Sequence, residues 1–219
     1  GKAEEGAVGS VVGATLGLLA FMLAFTFGMA ASRRESRREL LLEEVNAIGT
    51  TFLRTDLISE PHRTEARRLL RKYVDLRLDV YGHPEKLPET LKESEKLQEQ
   101  LWQHAAALAD ADLKNPDIVS LFVDSLNETI DLQTKRVVVG RYRIPTIIWS
   151  VFCLLTILSM AAVGYHFGQS GKGNFLVHLV LALSFSVVVF LIADLDRAAE
   201  GWLKVSNQPM MELRQQLER

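Results

Sequence analysis

The sequence predicts an all-helical integral membrane protein, and the distribution of its apolar residues is the main reason. Of 219 residues, 48% are hydrophobic and 24% are charged, averages that an ordinary soluble domain would also show. The apolar residues are concentrated in three blocks, at positions 7–31, 144–168 and 175–193. Positions 32–143 are instead crowded with Arg, Lys, Glu and Asp. This segregation indicates membrane-spanning helices around a charged helical domain.

Each apolar block is long enough to cross a bilayer. The first contains no charge, and a helix of roughly 25 residues can cross a hydrocarbon core about 30 Å thick. The other two are close to the roughly 20 residues that a span needs. Only the polar segment 169–174 joins them, which predicts an antiparallel hairpin. We therefore assign span one to positions 1–31, and spans two and three to positions 144–193.

Positive charge next to the spans predicts their orientation, because cytoplasmic flanks are enriched in Lys and Arg. The basic residues on one side are Arg33, Arg34, Arg37, Arg38, Lys135, Arg136, Arg141 and Arg143, against Lys2 and Lys172 on the other. We therefore expect the middle domain, 32–143, and the tail, 194–219, to be cytoplasmic. This topology leaves Gly1 outside although no signal peptide precedes it, so we expect a fourth span upstream of Gly1.

The middle domain is predicted to be a helical bundle. No glycine or proline occurs between positions 29 and 49, so span one should continue as one helix to about position 59. Breaks at Pro61, 81–84 and 115–116 then delimit three more amphipathic helices. Two apolar stripes at helical spacing are Leu41, Val45, Ile48 and Phe52, and Val119, Phe122, Leu126, Ile130 and Val137.

Composition and motifs give no support for an enzyme, a nucleic-acid-binding protein or a metalloprotein. The formal net charge of −2 provides no basic face for nucleic acid. The five histidines share no ligand spacing with one another or with Cys153, and no phosphate-binding loop or nucleophile elbow occurs. We expect no catalytic residue, no metal site and no cofactor.

Three ionisable residues near the apolar blocks have both structural and functional interpretations. His178 lies inside span three, where it can face a water pathway or hydrogen-bond a neighbouring helix, and we favour the hydrogen bond. Asp194 and Asp196, at the inner end of that span, could bind a cation. We favour a role as caps or as partners of Arg.

Span one carries two overlapping patterns. Small residues that permit close helix packing recur along it, at Gly9, Gly13, Gly17, Ala20, Ala24, Gly28 and Ala31. A neighbouring face carries Phe21 and Phe25 one turn apart, beside Thr15, Met22 and Thr26, and ends at Arg33 and Arg37. Without further information, this second pattern is typical of lipid-facing or core residues with anchors at the inner face.

The stretch Leu23-Ala24-Phe25, followed by Arg33 and Arg38, resembles the second span of bestrophin anion channels. Ala24 departs from the bestrophin Gly, and Arg34-Glu35 replaces a Trp pair. More of the chain is similar to a bacterial bestrophin-like family. The segments that carry this similarity are 43–50, 73–75, 143–145 and 193–197.

This resemblance implies a bestrophin-like fold and a homo-oligomeric channel in the bacterial inner membrane, with five subunits and inorganic anions as permeant ions. It places Phe25, Phe21 and Gly17 in the pore neck, although Gly17 departs from the bulky pattern, with Met22 and Thr26 beside them. Converging rings can gate by dewetting, and Arg33 or Arg37 at the inner mouth would attract anions.

Two other functions fit the sequence. In a non-conducting scaffold or signalling protein, the cytoplasmic bundle would bind a partner, and the small residues Gly9, Gly13, Ala24 and Gly28 would only pack helices. A transporter would need broken or polar helices at mid-membrane, which spans one and three lack, and we rank it last.

Overall fold

The computed structural model describes residues 2–111, 116–170, 175–197 and 201–218, and the described chain is built from α-helices. The helices are α1 (Lys2–Arg54), α2 (His62–Gly82), α3 (Leu87–Ala111), α4 (Pro116–Arg141), α5 (Thr146–Ser170), α6 (Phe175–Asp196) and α7 (Gln208–Leu217). Two short 3-10 turns, Thr55–Leu57 and Pro84–Lys86, follow α1 and α2. The all-helical fold class is confirmed. Lys172 and most of the predicted turn at 169–174 lie outside the described residues, as does Asn115.

The first helix is continuous, as the absence of glycine and proline in its middle predicts. It runs from Lys2 to Arg54 and ends five residues short of the predicted position. The turn Thr55–Leu57 separates it from Pro61, which directly precedes α2. Proline suits a helix start because its ring fixes φ and its missing N–H would have no partner there. The apolar block at 7–31 and the charged stretch that follows it are therefore parts of one continuous helix.

Three helices among the described residues are long and apolar enough to cross a membrane. They correspond to the apolar part of α1, to α5 and to α6, so the three spans predicted from the sequence are confirmed at this level. The chain is a membrane protein by this criterion.

The chain divides into two compact units. Unit one comprises Gly1–Arg34 and Tyr142–Leu203, and unit two comprises Glu35–Arg141 and Lys204–Arg219. In unit one, buried residues from α1, α5, α6 and the segment before α5 form one apolar cluster: Leu19, Leu23, Ala30, Ile144, Phe152, Ile192 and Leu195. Unit one thus has its own packed core.

Unit two has a larger core to which α1, α2, α3, α4 and α7 contribute. The first predicted apolar stripe points into it, and so does the second except for Val137, with Ile48 and Phe122 completely buried and Val45 partly buried against the cluster. Burial of one such side chain stabilises a fold by about 1.5–3 kcal/mol relative to exposure. The last helix also packs here, with Leu213 within 3.5 Å of the position a Cβ would take at Gly49. Helix α7 therefore forms part of the core of unit two.

Candidate functional site

The face of α1 that carries Phe21 and Phe25 is open in the single chain. Their side chains are 66% and 60% exposed, whereas Val12 and Ala30 are buried in unit one. With about 100° of rotation per residue, Phe21 lies opposite Val12 and Ala30, and Phe25 lies about 40° from Phe21. We call Gly17, Phe21, Phe25 and Gly28 together the aromatic face.

Gly17 and Gly28 belong to this face because both lie within about 40° of Phe21 around the helix. A Cβ added at either position would meet no atom within 4 Å. The single chain therefore leaves room beside the two phenylalanines, on both the N-terminal and the C-terminal side of the rings.

Two other residues predicted beside the pore lie elsewhere on α1. Thr26 is completely buried, and its hydroxyl donates a hydrogen bond to the Met22 carbonyl at 2.9 Å. Met22 is half-buried and packs against the core of unit one. Helical geometry thus turns Thr26 away from the aromatic face, and we leave it out of the proposed pore lining.

The small residues of α1 have different surroundings along the helix. Gly9 allows close approach of α5, since the position of its missing Cβ lies 3.4 Å from His166 Cε1. Gly13 lines an apolar groove against α5 and α6, and Ala24 lines a second one against α6. Close packing within the chain is therefore seen at Gly9, while packing by the others stays a prediction.

Near the C-terminal end of the span, Phe25 and Arg33 line one shallow groove along α1, together with Gly28, Met29 and Ser32. Arg33 also faces a carboxylate, because its Nη1 lies 3.5 Å from Asp196 Oδ1. Asp196 accepts the Ile144 N–H as well, at 2.9 Å. Arg33 therefore faces a carboxylate of its own chain that partly offsets its charge. Arg37 is half-buried in unit two.

Asp194 holds the turn that follows α6. Its carboxylate accepts the backbone N–H groups of Trp202 and Leu203, both at 2.8 Å. Gly201 passes so close that a Cβ there would lie 2.7 Å from the Asp194 carbonyl oxygen. Both aspartates thus act as caps or as Arg partners, the role favoured from the sequence. His178 packs edge-on against Phe167, with ring centroids 4.6 Å apart.

Comparison with known proteins identifies the family. The sequence matches the Bestrophin-like domain over residues 2–210, almost the whole chain. The chain belongs to the bestrophin-like domain family. No curated protein and no solved structure matches it. Bestrophin-like domains are generally channels rather than enzymes, and the match includes the aromatic face, Arg33 and Asp196.

Unit two of this bestrophin-like domain contains a buried ionic cluster that the sequence did not predict as a site. Glu44 on α1 is completely buried, and its Oε1 lies 3.1 Å from Arg77 Nε and accepts the Tyr73 hydroxyl at 3.0 Å. Its Oε2 accepts a hydrogen bond from Nη1 of Arg136 on α4. Burial raises the pKa of Tyr73 to about 12 and lowers the pKa of Arg136 to about 10. At neutral pH, Tyr73 is therefore a neutral donor and Arg136 stays charged.

One signal for Glu44 was available in the sequence. It lies three residues after Leu41 and four before Ile48, so it falls within the apolar stripe of α1. A carboxylate at such a position must be buried with partners, because an isolated buried charge is very costly. The identity of its partners on α2 and α4 depends on tertiary packing.

The bestrophin-like domain also brings two histidines together across unit two. Nδ1 of His62 lies 3.1 Å from Nδ1 of His104, although the residues are 42 positions apart. The distance of 42 positions between the two histidines in the sequence gives no sign that they are in contact. Among the residues that the structure describes, no group of three or more His, Cys, Asp or Glu side chains could hold a metal ion.

Proposed function

We propose that this bestrophin-like domain forms a homo-oligomeric, anion-conducting channel in which the aromatic face of α1 lines the pore. The observation that carries the proposal is the exposure of Phe21 and Phe25 on the side of α1 opposite to its packing within the protomer. Family membership supports it, since bestrophin-like domains are generally channels.

The three spans among the described residues are too few to surround a pore within one chain, so conduction requires a symmetric assembly. Two apolar rings one turn apart, repeated around a symmetry axis, form a constriction that can close by losing its water. Gly17 and Gly28 add no side chain to this face, so they leave the proposed pore wider on both sides of the rings. The resemblance to bestrophins favours five copies.

Arg33 supports an anion preference. It shares a groove with Phe25 at the inner end of the span, and a ring of guanidinium groups at a pore mouth attracts anions. The positive charges that flank the spans favour a cytoplasmic location for unit two and the tail, in a bacterial inner membrane.

Cysteine accessibility tests the placement of the aromatic face. In a Cys153→Ser background, Phe25→Cys should react with a charged, membrane-impermeant thiol reagent in liposomes, because a pore-lining thiol is in contact with water. Phe190→Cys is the matched control, since Phe190 is 56% exposed on α6. We expect it to stay unlabelled.

Equal lack of labelling at Phe25→Cys and Phe190→Cys would contradict the proposal. The aromatic face would then meet lipid or another helix, as the scaffold or signalling function requires. Reversal potentials measured in asymmetric chloride would separately test whether the conducted ion is an anion.

A further inference from the structure

The His62–His104 pair has a geometry that a metal ion could use. His62 is the first residue of α2, and His104 lies on α3. Their Nδ1 atoms are 3.1 Å apart, and the rings meet edge to face at 70° with centroids 5.3 Å apart. Both residues are half-buried.

The separation of the two nitrogens matches that of two ligands on one metal ion. Histidine nitrogens bind zinc at about 2.0–2.1 Å, which places two ligands of a tetrahedral ion about 3.3 Å apart. Two ligands at right angles, as in square-planar or octahedral sites, lie about 2.9 Å apart. The observed 3.1 Å falls between these values. Binding would replace the contact between the two nitrogens and would require both rings to turn towards the ion.

We propose that His62 and His104 form a binding site for a divalent transition-metal ion of the zinc type, with both Nδ1 atoms as ligands. Imidazole nitrogen favours zinc, copper or nickel over magnesium or calcium, which prefer oxygen. No third His, Cys, Asp or Glu among the described residues completes the site. Water fills the remaining positions, so binding is weaker than in four-ligand structural sites and is reversible.

A metal ion at this position would join the start of α2 to α3. These two helices pack against each other within unit two, and an ion that binds only the folded arrangement stabilises it. The site belongs to unit two and the aromatic face to unit one, so metal binding does not depend on conduction. Its failure would leave the proposed channel function untouched.

Calorimetric titration tests the proposal on the whole protein, purified in detergent without a histidine tag. We expect one Zn²⁺ to bind per chain, and Mg²⁺ to produce no heat of binding. His62→Gln and His104→Gln should each weaken Zn²⁺ binding at least about tenfold, because loss even of an outer-shell partner costs that much. Glutamine retains the capacity for a hydrogen bond at both positions.

His83→Gln is the matched control, because His83 is an exposed histidine of the same unit and its Nδ1 contacts Asp79 at 3.1 Å. Its Zn²⁺ affinity should equal that of the wild type. The proposal is overturned if wild-type protein binds Zn²⁺ no more tightly than the two glutamine variants. The pair would then be a hydrogen bond only.

A second measurement avoids substitutions and so does not depend on how the variants fold. X-ray absorption at the zinc edge of wild-type protein loaded with one equivalent of Zn²⁺ should show the scattering pattern of two imidazole rings. A spectrum without imidazole scattering would also overturn the proposal.

Discussion

Arg33 on α1 and Asp196 at the end of α6 form an ion pair, with 3.5 Å between Nη1 and Oδ1 and the Asp196 side chain only 9% exposed. Asp196 also accepts the backbone N–H of Ile144, just before α5. One carboxylate at the end of α6 therefore contacts both α1 and the segment that precedes α5. It also opposes the positive charge that we propose for the inner mouth of the pore.

Asp196→Asn should increase the preference of the proposed channel for anions. The amide keeps an oxygen that can accept the Ile144 N–H, while the charge of Arg33 becomes uncompensated. The reversal potential in asymmetric chloride should shift towards the chloride equilibrium potential. Asp194→Asn is the control and should leave it unchanged, since Asp194 binds the turn at Trp202 and Leu203. A shift away from the chloride value would contradict the role given to Arg33.

Gly17→Leu should reduce current without destabilising the protomer. A Cβ at Gly17 meets no atom of its own chain within 4 Å, so the added side chain projects from the aromatic face into the proposed pore. Gly164→Leu is the matched control, because Gly164 has equally open surroundings on α5. We expect single-channel conductance to fall only for Gly17→Leu, and equal conductance in both variants would contradict the assignment.

Glu44→Gln should strongly destabilise unit two. The substitution leaves Arg77 and Arg136 without their common carboxylate, and breaking a buried ion pair by removing one partner costs about 3–5 kcal/mol. The free energy of chemical unfolding would measure the effect. Glu93→Gln, which removes an exposed ion pair with Lys72, should change the free energy of unfolding very little. A similar loss of unfolding free energy in both variants would show that the buried ionic cluster does not stabilise unit two more than an exposed ion pair does.

Tyr73 should ionise only at very alkaline pH. Burial raises its pKa to about 12, so the difference in tyrosinate absorbance between wild type and Tyr73→Phe should have its midpoint near pH 12. An unfolded tyrosine ionises near pH 10. The stability linked to this shift is therefore fully present below about pH 10 and is lost as the pH rises towards 12. A difference midpoint near 10 would contradict the buried position of the hydroxyl.

Much of the fold could be predicted from the sequence because it depends on local patterns. The apolar blocks, the lack of glycine and proline in α1, and Pro61 are read along a single segment and need no tertiary information. The apolar stripe from Leu41 to Phe52 likewise predicted which face of α1 is buried in unit two. These features are fixed by helical periodicity and backbone stereochemistry.

The candidate sites depended on contacts between distant segments. The sequence placed Thr26 beside Phe21 and Phe25, but only the packing of α1 in unit one shows that Thr26 points inward. Glu44 meets Arg136, and His62 meets His104, only because separate helices converge in unit two. Helical spacing could indicate a buried carboxylate at Glu44, but it could not identify the partner.

Current through reconstituted protein with Phe21→Ala and Phe25→Ala combined tests the central claim most directly. Removal of both rings widens an apolar constriction and favours water in it, so the double variant should pass a chloride current roughly several-fold larger than that of the wild type. Phe190→Ala, which removes an exposed ring from α6, should leave the current unchanged. A folded, oligomeric double variant that passes no current would contradict the proposal that the aromatic face of α1 lines a pore.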